Sequence, residues 1–384
     1  MADFPTSGDD VIFGTSANET IEALAGNDTV FGLGGNDKLF GGDGNDLLNG
    51  GTGNNNLSGG AGFDTAYYAL SIVSMDVNLT RGWGAPTGQG VDDIDFYISI
   101  ENIEGGSADD FLTGTRGHNF IDGNGGKDVI KGSSGNDSLS GGADDDWLYG
   151  RTGTDIVDGG SGNDIVSGGS GGDLLIGGDG VDSLDYSGSL LGVVVDLAAN
   201  IAYSGDAEGD TISGFEEITG SDHGDDLLGS AVRNFIWAGN EGDEIEGRGG
   251  NDEIYGWGGA DNIFGGGGID FIEGGGGADN MRGGAGVDVF SYRASTDSGI
   301  VFAERDEILD FKQGSDRISF FSLFDGEGVF RGTGGFLDNV SNQVRYVATN
   351  SKTVVFVDID GLNGADMKID LTGVFTLTAG DFDM

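Results

Sequence analysis

Aspartate recurs in this sequence at intervals of nine residues, each time inside a glycine-rich turn. Asp28, Asp37 and Asp46 set the phase, and GGDGNDLLN at 41–49 is a clean copy. The phase reaches back to Asp10 and forward to Asp64, with Glu19 and Asn55 as weaker members. A second array holds Asp110, Asp128, Asp137, Asp146, Asp155, Asp164, Asp173 and Asp182, with Asn119 standing in one aspartate position. The third holds Asp243, Asp252, Asp261, Asp270, Asp279 and Asp288, entered through Asp226 and Asn234 with one residue missing from the spacing. Turns this tight let backbone carbonyl oxygens converge near the carboxylates. Several carbonyls and two carboxylates make an oxygen-only donor set for a hard cation, and the flexible geometry favours Ca2+ over Mg2+.

An apolar residue follows two places after each aspartate: Val30, Leu39 and Leu48, then Ile130, Leu139, Leu148, Val157, Val166 and Leu175, then Ile245, Ile254, Ile263 and Ile272. A six-residue turn followed by three residues centred on one inward side chain reads as a very short strand. Such a strand cannot bury its face alone, so copies must stack, two units per coil, with residues eighteen apart directly above one another. The expected fold is all-β: a flattened right-handed parallel roll in three arrays, with a thin aliphatic interior and a β-rich C-terminal cap. Aspartate pairs eighteen apart number thirteen, which calls for about a dozen Ca2+ ions. Lys and Arg total 17 against 66 Asp and Glu, a formal charge of −49. Stacking carboxylates without a cation is repulsive, so the rolls are expected to be unfolded without Ca2+ and to fold on binding it.

These units match the G-G-x-G-x-D-x-U-x nonapeptide and resemble the RTX (repeats-in-toxin) family. The resemblance implies a Ca2+-loaded parallel β-roll and, usually, type I export from a Gram-negative bacterium into the medium. The chain then divides into a first RTX roll at 1–64, an insert at 65–105, a second roll at 106–182, an insert at 183–221, a third roll at 222–288 and a C-terminal β cap at 289–384. The inserts resemble each other (TAYYALSIVSMDVNLTRG beside SLDYSGSLLGVVVDLAAN) and read as longer coils carrying an excursion. VFSYRA, DEILDF, DRISFF, VRYVAT, TVVFVDID and MKIDL suggest about six strands after Asp288, where the repeat stops. That course is similar to the C-terminal domain of serralysin-type metalloproteases. By that resemblance the tail Gly380–Met384 lies within a type I secretion signal. Asp358, Asp360, Asn363 and Asp366 are a candidate for one more Ca2+ site.

Composition removes several function classes. With 80 Gly but only 2 Pro, collagen and proline-rich disorder are excluded. The acidic balance repels nucleic acid and anionic membrane. The absence of Cys removes disulfides and thiolate sites. No apolar run reaches the ~20 residues of a membrane-spanning helix, and MADFPTSGDDVIF lacks a basic segment followed by an apolar run. No catalytic constellation is found. H-E-x-x-H is missing, and Gly168–Gly172 fits G-x-S-x-G only inside a repeat turn. His118 and His223 read as surface turn residues.

Trp237 and Tyr255 lie eighteen apart and should be outward neighbours, with Trp257 in the next turn; together they could stack on sugar rings or dock a partner. The expected function is a secreted, extracellular, non-enzymatic Ca2+-binding protein of matrix, surface layer or cell-surface adhesion. The alternatives are the C-terminal secretion region of an exported hydrolase or epimerase, or a Ca2+-dependent polysaccharide binder.

Overall fold

The computed structural model describes residues 5–87, 93–362 and 364–384. It divides into two compact units, one formed by 1–184 with 209–215 and the other by 185–208 with 216–384.

In the first unit nearly every strand pairs in parallel with the strand eighteen residues further on, because each nonapeptide offers only one inward side chain and needs a neighbour to cover it. Leu112, Ile130, Leu148, Val166 and Leu184 form one ladder of direct register partners. Ile103, Ile121, Leu139, Val157, Leu175 and Ile212 form the other, on the opposite sheet. These side chains are buried, so the interior is two facing columns one residue wide. Between Thr65–Tyr67 and Asn102–Glu104 the chain leaves the nine-residue register. Met75–Asn78 and Trp83–Pro86 form an antiparallel hairpin, and Asp95–Ile98 runs antiparallel to the second arm while pairing in parallel with Asn56–Ala61.

The second unit repeats the plan. Val194–Asp196 and Ile201–Tyr203 form a hairpin whose first arm lies parallel to Asp226–Leu228. All six strands expected after Asp288 are present. Although the sequence repeat stops there, the coil does not. Ile254, Ile272, Phe290, Ile318 and Phe382 are successive register partners, as are Ile263, Met281, Ile308 and Leu371. The C-terminal segment adds three half-coils to one sheet and two to the other, and an antiparallel meander of Gln343–Ala348, Lys352–Asp358 and Met367–Thr372. Phe320, Phe324, Phe330 and Phe382 stack beneath it, widening the narrow aliphatic column.

The turns need glycine where coils meet. Gly171 has φ +147°, and a Cβ there would lie 1.5 Å from the Gly153 carbonyl oxygen of the coil before it. Gly125, by contrast, has open space around the Cβ position. Gly171→Ala should therefore destabilise the Ca2+-loaded protein by about 2 kcal/mol or more, and Gly125→Ala by less than about 0.5 kcal/mol. Thermal unfolding of the two variants in Ca2+ checks the ordering.

Candidate metal centre

Each repeat aspartate uses its two carboxylate oxygens differently. Oδ1 accepts the backbone N–H of the residue at the same phase one coil earlier. Asp28 donates in this way to Asp46 at 2.8 Å, Asp128 to Asp146 at 2.7 Å, Asp137 to Asp155 at 2.8 Å and Asp243 to Asp261 at 2.9 Å. The same bond reaches Asp173 from Asp155, Asp182 from Asp164, Asp270 from Asp252, Asp279 from Asp261 and Asp288 from Asp270. One oxygen of every pair thus holds the coils in register.

Oδ2 is left over. In Asp28, Asp37, Asp46 and Asp64 it is buried with no hydrogen-bond partner. The same holds for Asp128, Asp137, Asp146, Asp155 and Asp164, and for Asp243, Asp252, Asp261, Asp270, Asp279 and Asp288. An ionised carboxylate buried with an idle oxygen is costly unless a cation answers it. The surroundings fit one. A Cβ built on Gly141 would sit 2.4 Å from Asp146 Oδ2 and 2.5 Å from the Gly159 carbonyl oxygen. Gly159 repeats this with Asp164 Oδ2 and Gly177 O, and Gly256 with Asp261 Oδ2 and Gly274 O. Carboxylate and carbonyl oxygens from successive coils converge beside a bare Cα. The donors are hard oxygens throughout, and Ca2+ tolerates such irregular sets.

Electrostatics agree. Burial, reinforced by neighbouring carboxylates, pushes Asp128 and Asp261 up to about 8. Asp146, Asp243 and Asp252 rise to about 7, and Asp64, Asp137 and Asp288 to about 6, again chiefly through burial. Backbone N–H donors oppose these shifts without cancelling them.

Two expected ligands differ. Asp10 Oδ2 accepts from the Thr6 N–H at 2.6 Å, and Asp110 Oδ2 from the Gly106 N–H at 2.7 Å, so neither has an idle oxygen on that side. The entry to the third array also needs correcting. Asp225, not Asp226, occupies the phase: its N–H donates to Asp243 Oδ1 at 2.8 Å, and no residue is missing from the spacing. The ladder also continues where the spacing hid it. Asp64 donates to Glu101, Asp173 to Asp210, Asp279 to Asp306 and Asp288 to Asp316. Only their position one coil on, across 37, 27 or 28 residues, could have revealed them.

At all three asparagine positions the side-chain amide donates to a protein oxygen. Asn55 Nδ2 donates to Asp95 Oδ1 at 2.8 Å, Asn234 Nδ2 to the Glu216 carbonyl at 2.9 Å, and Asn119 Nδ2 to the Glu101 carbonyl. An NH2 group satisfies the oxygens without charge.

Elsewhere, Asp358, Asp360 and Asp366 do come together, but their oxygens tie down the turn. Asp358 accepts from Gly361 N–H and Gln343 Nε2, and Asp366 from Ile359 N–H. Asn363 lies outside the described residues. His118 accepts the Asn136 N–H in an exposed turn, and His223 lies 3.7 Å from Glu241. Trp237 and Tyr255 stack at 6.1 Å with planes 5° apart, as their spacing implied, while Trp257 is 65% exposed.

Metal-free folded carboxyls hold protons up to pH 6–8, whereas unfolded aspartate loses them near ~3.9. The folded state therefore binds more protons across that window, and metal-free stability falls as pH rises through it. In EDTA, sheet content measured by far-UV circular dichroism should grow as pH is lowered from about 8.5 to about 5, and the Ca2+ needed to reach the folding midpoint should fall; flat or opposite trends would contradict the assignment. Asp146→Asn should lower bound Ca2+ by about one ion per chain in equilibrium dialysis, because an amide replaces the carboxylate that carries an idle Oδ2.

The RTX calcium-binding nonapeptide repeat matches at 5–39, 13–48, 31–66, 104–139, 122–157 and 131–166. The family described as peptidase M10 serralysin C terminal matches 157–383. No curated protein matches. Among solved structures, the R3 and R2 subunits of the Azotobacter vinelandii mannuronan C5-epimerase are each 24% identical, with TM-scores of 0.23 and 0.25. They align with 42% and 43% of this chain and with 78% and 91% of their own lengths. The extracellular lipase LipA of Serratia marcescens is 21% identical at a TM-score of 0.21, over 67% of this chain and 40% of the lipase. The repeat family binds calcium, the serralysin C-terminal domain is linked to type I secretion, and both indicate a secreted, extracellular protein. The nonapeptide ladder and the coil that runs on past it are thus two parts of one assignment: this chain belongs to the peptidase M10 serralysin C-terminal family and carries RTX calcium-binding repeats.

Proposed function

We propose that this chain is a non-enzymatic folding and attachment module that takes its structure from Ca2+ outside the cell and serves a structural or adhesive role in matrix, surface layer or cell-surface contact. The observation that carries it is the row of buried Oδ2 atoms with no protein partner, set beside glycine carbonyls of the next coil. The aspartates with idle oxygens would hold about a dozen ions. Bound Ca2+ would supply the positive charge that makes the stacked carboxylates tolerable. Asp Oδ1 atoms keep the coils in register, the glycines leave room for the cation, and the apolar columns exclude water from the interior.

Extracellular Ca2+ modules have dissociation constants of about 0.1–1 mM. Sites of that strength stay empty at cytosolic Ca2+ and fill outside, which couples folding to export. A second reading is that the chain serves as the C-terminal region of a larger exported hydrolase. It draws support from the matching family, which is described as the C-terminal part of a peptidase.

A Ca2+ titration of EDTA-treated protein, followed by circular dichroism with bound-metal analysis, tests the main reading. A cooperative gain of sheet signal with about a dozen ions per chain is expected, and Mg2+ at equal concentration should not reproduce it. EDTA-treated protein that keeps its sheet signal at low salt and about pH 8.5, where the carboxyls are ionised, would refute it.

A further inference from the structure

The Ca2+ ladder leaves one built feature of the second unit unexplained. Trp257 has φ +71°, a left-handed conformation that strains any residue carrying a Cβ. Both flanking coils have glycine at its level: Gly239 is its register partner, and Gly275 lies against its carbonyl. The two faces of the indole therefore meet no side chain from the flanking strands at that level. A cleft lies on each side. One, of about 410 Å³, is lined by Trp237, Ser187, Asp222 and Asn240 together with Trp257. The other, of about 720 Å³, is lined by Trp237, Tyr255, Glu253, Glu273 and Arg293 together with Trp257. Trp257 stands as the wall between them.

Behind it runs a continuous row of rings. Phe235 stacks on Trp237 at 6.0 Å, Trp237 on Tyr255 at 6.1 Å, and Tyr255 meets Phe271 at 5.8 Å. Phe235 and Phe271 add to the patch expected from sequence. Two arginines lie over this row, Arg233 above Phe235 and Arg293 above both Tyr255 and Phe271. Each is paired with a carboxylate, Arg233 with Glu253 and Arg293 with Glu273.

We propose that this double cleft binds a neutral, hydroxyl-rich polysaccharide, with Trp257 as the platform for sugar rings and Glu253, Glu273 and Arg293 as hydroxyl partners. Apolar ring faces flanked by paired donors and acceptors suit sugars, which present C–H faces and equatorial hydroxyls. Charge decides against the other occupants. An anionic polymer would face Glu217, Glu253, Glu273 and Asp297 with only paired arginines to receive it. A second copy carries the same formal charge of −49. A cationic ligand would find the cation positions over Phe235, Tyr255 and Phe271 already filled by arginine. The proposal deepens the attachment reading above and needs the second unit folded.

Affinity electrophoresis in Ca2+ tests it, with gels containing laminarin, hydroxyethylcellulose, xylan, galactomannan or dextran. Hyaluronan serves as the anionic polymer and chitosan oligosaccharide as the cationic one. Retardation by at least one neutral polymer is expected, weakened about tenfold or more by Trp257→Ala. Trp147→Ala, which removes an exposed tryptophan of the first unit, should leave it unchanged. Both variants should give the wild-type circular dichroism titration with Ca2+. The proposal is overturned by retention on no neutral polymer, by retention only on hyaluronan or chitosan, or by equal loss in the two variants. If the Ca2+ titration fails instead, the calcium reading falls, and the gel result still decides the cleft.

Discussion

Everything in this protein depends on an aspartate placed so that only half of its carboxylate is satisfied by the chain. Oδ1 takes a backbone N–H from the coil before, which fixes the stacking distance and register. That bond draws the whole column of carboxylates inward and leaves the second oxygens without protein donors. The interior cannot offset this, because each nonapeptide contributes one inward side chain such as Leu148 or Ile254. In an ordinary domain burial precedes electrostatics in importance. Here each coil offers only two thin apolar columns, while the idle Oδ2 atoms recur from coil to coil along the ladder.

The exceptions show the same constraint from the other side. Near the array edges several ladder positions are replaced or answered by protein. Asn55, Asn119 and Asn234 fill the space with an amide. In the first insert the amide belongs to a buried network, with Tyr68 Oη donating to Asp95 Oδ2 at 2.6 Å and lying 2.5 Å from Tyr97 Oη. Asp10, Asp110 and Asp225 take an N–H from four residues upstream, as do Asn119 and Asn234. Each of these devices satisfies oxygens without a metal, and each sits at the edge of an array.

Periodicity made the apolar columns and most of the ladder legible, because both follow from one repeat length and one side-chain phase. What it could not show is which oxygen is idle. Asp110 and Asp128 look alike in sequence, yet one carboxylate is closed by a local N–H and the other is open. That difference lies in the path of the preceding turn. Asp225 was hidden by Asp226 beside it, two adjacent carboxylates of which only one faces inward. Asp306 and Asp316 were hidden because an intervening loop lengthens the coil without moving its next aspartate out of line. Of the aromatic face, the eighteen-residue spacing showed Trp237 over Tyr255. The bare flanks of Trp257 required reading glycines 239 and 275 as neighbours as well as turn formers.

The C-terminal quarter shows how the coil persists as the repeat fades. Residues 289–384 hold eight of the seventeen Lys and Arg. Asp370 is buried between Arg305 and Lys352, and Arg317 pairs with Asp383 at the last strand. The capping box of Thr378 and Asp381 then turns the chain so that Phe382 enters the column beside Ile318. Neutralisation that the repeats leave to an external cation is supplied here by side chains, and the missing interior volume by Phe320, Phe324 and Phe330.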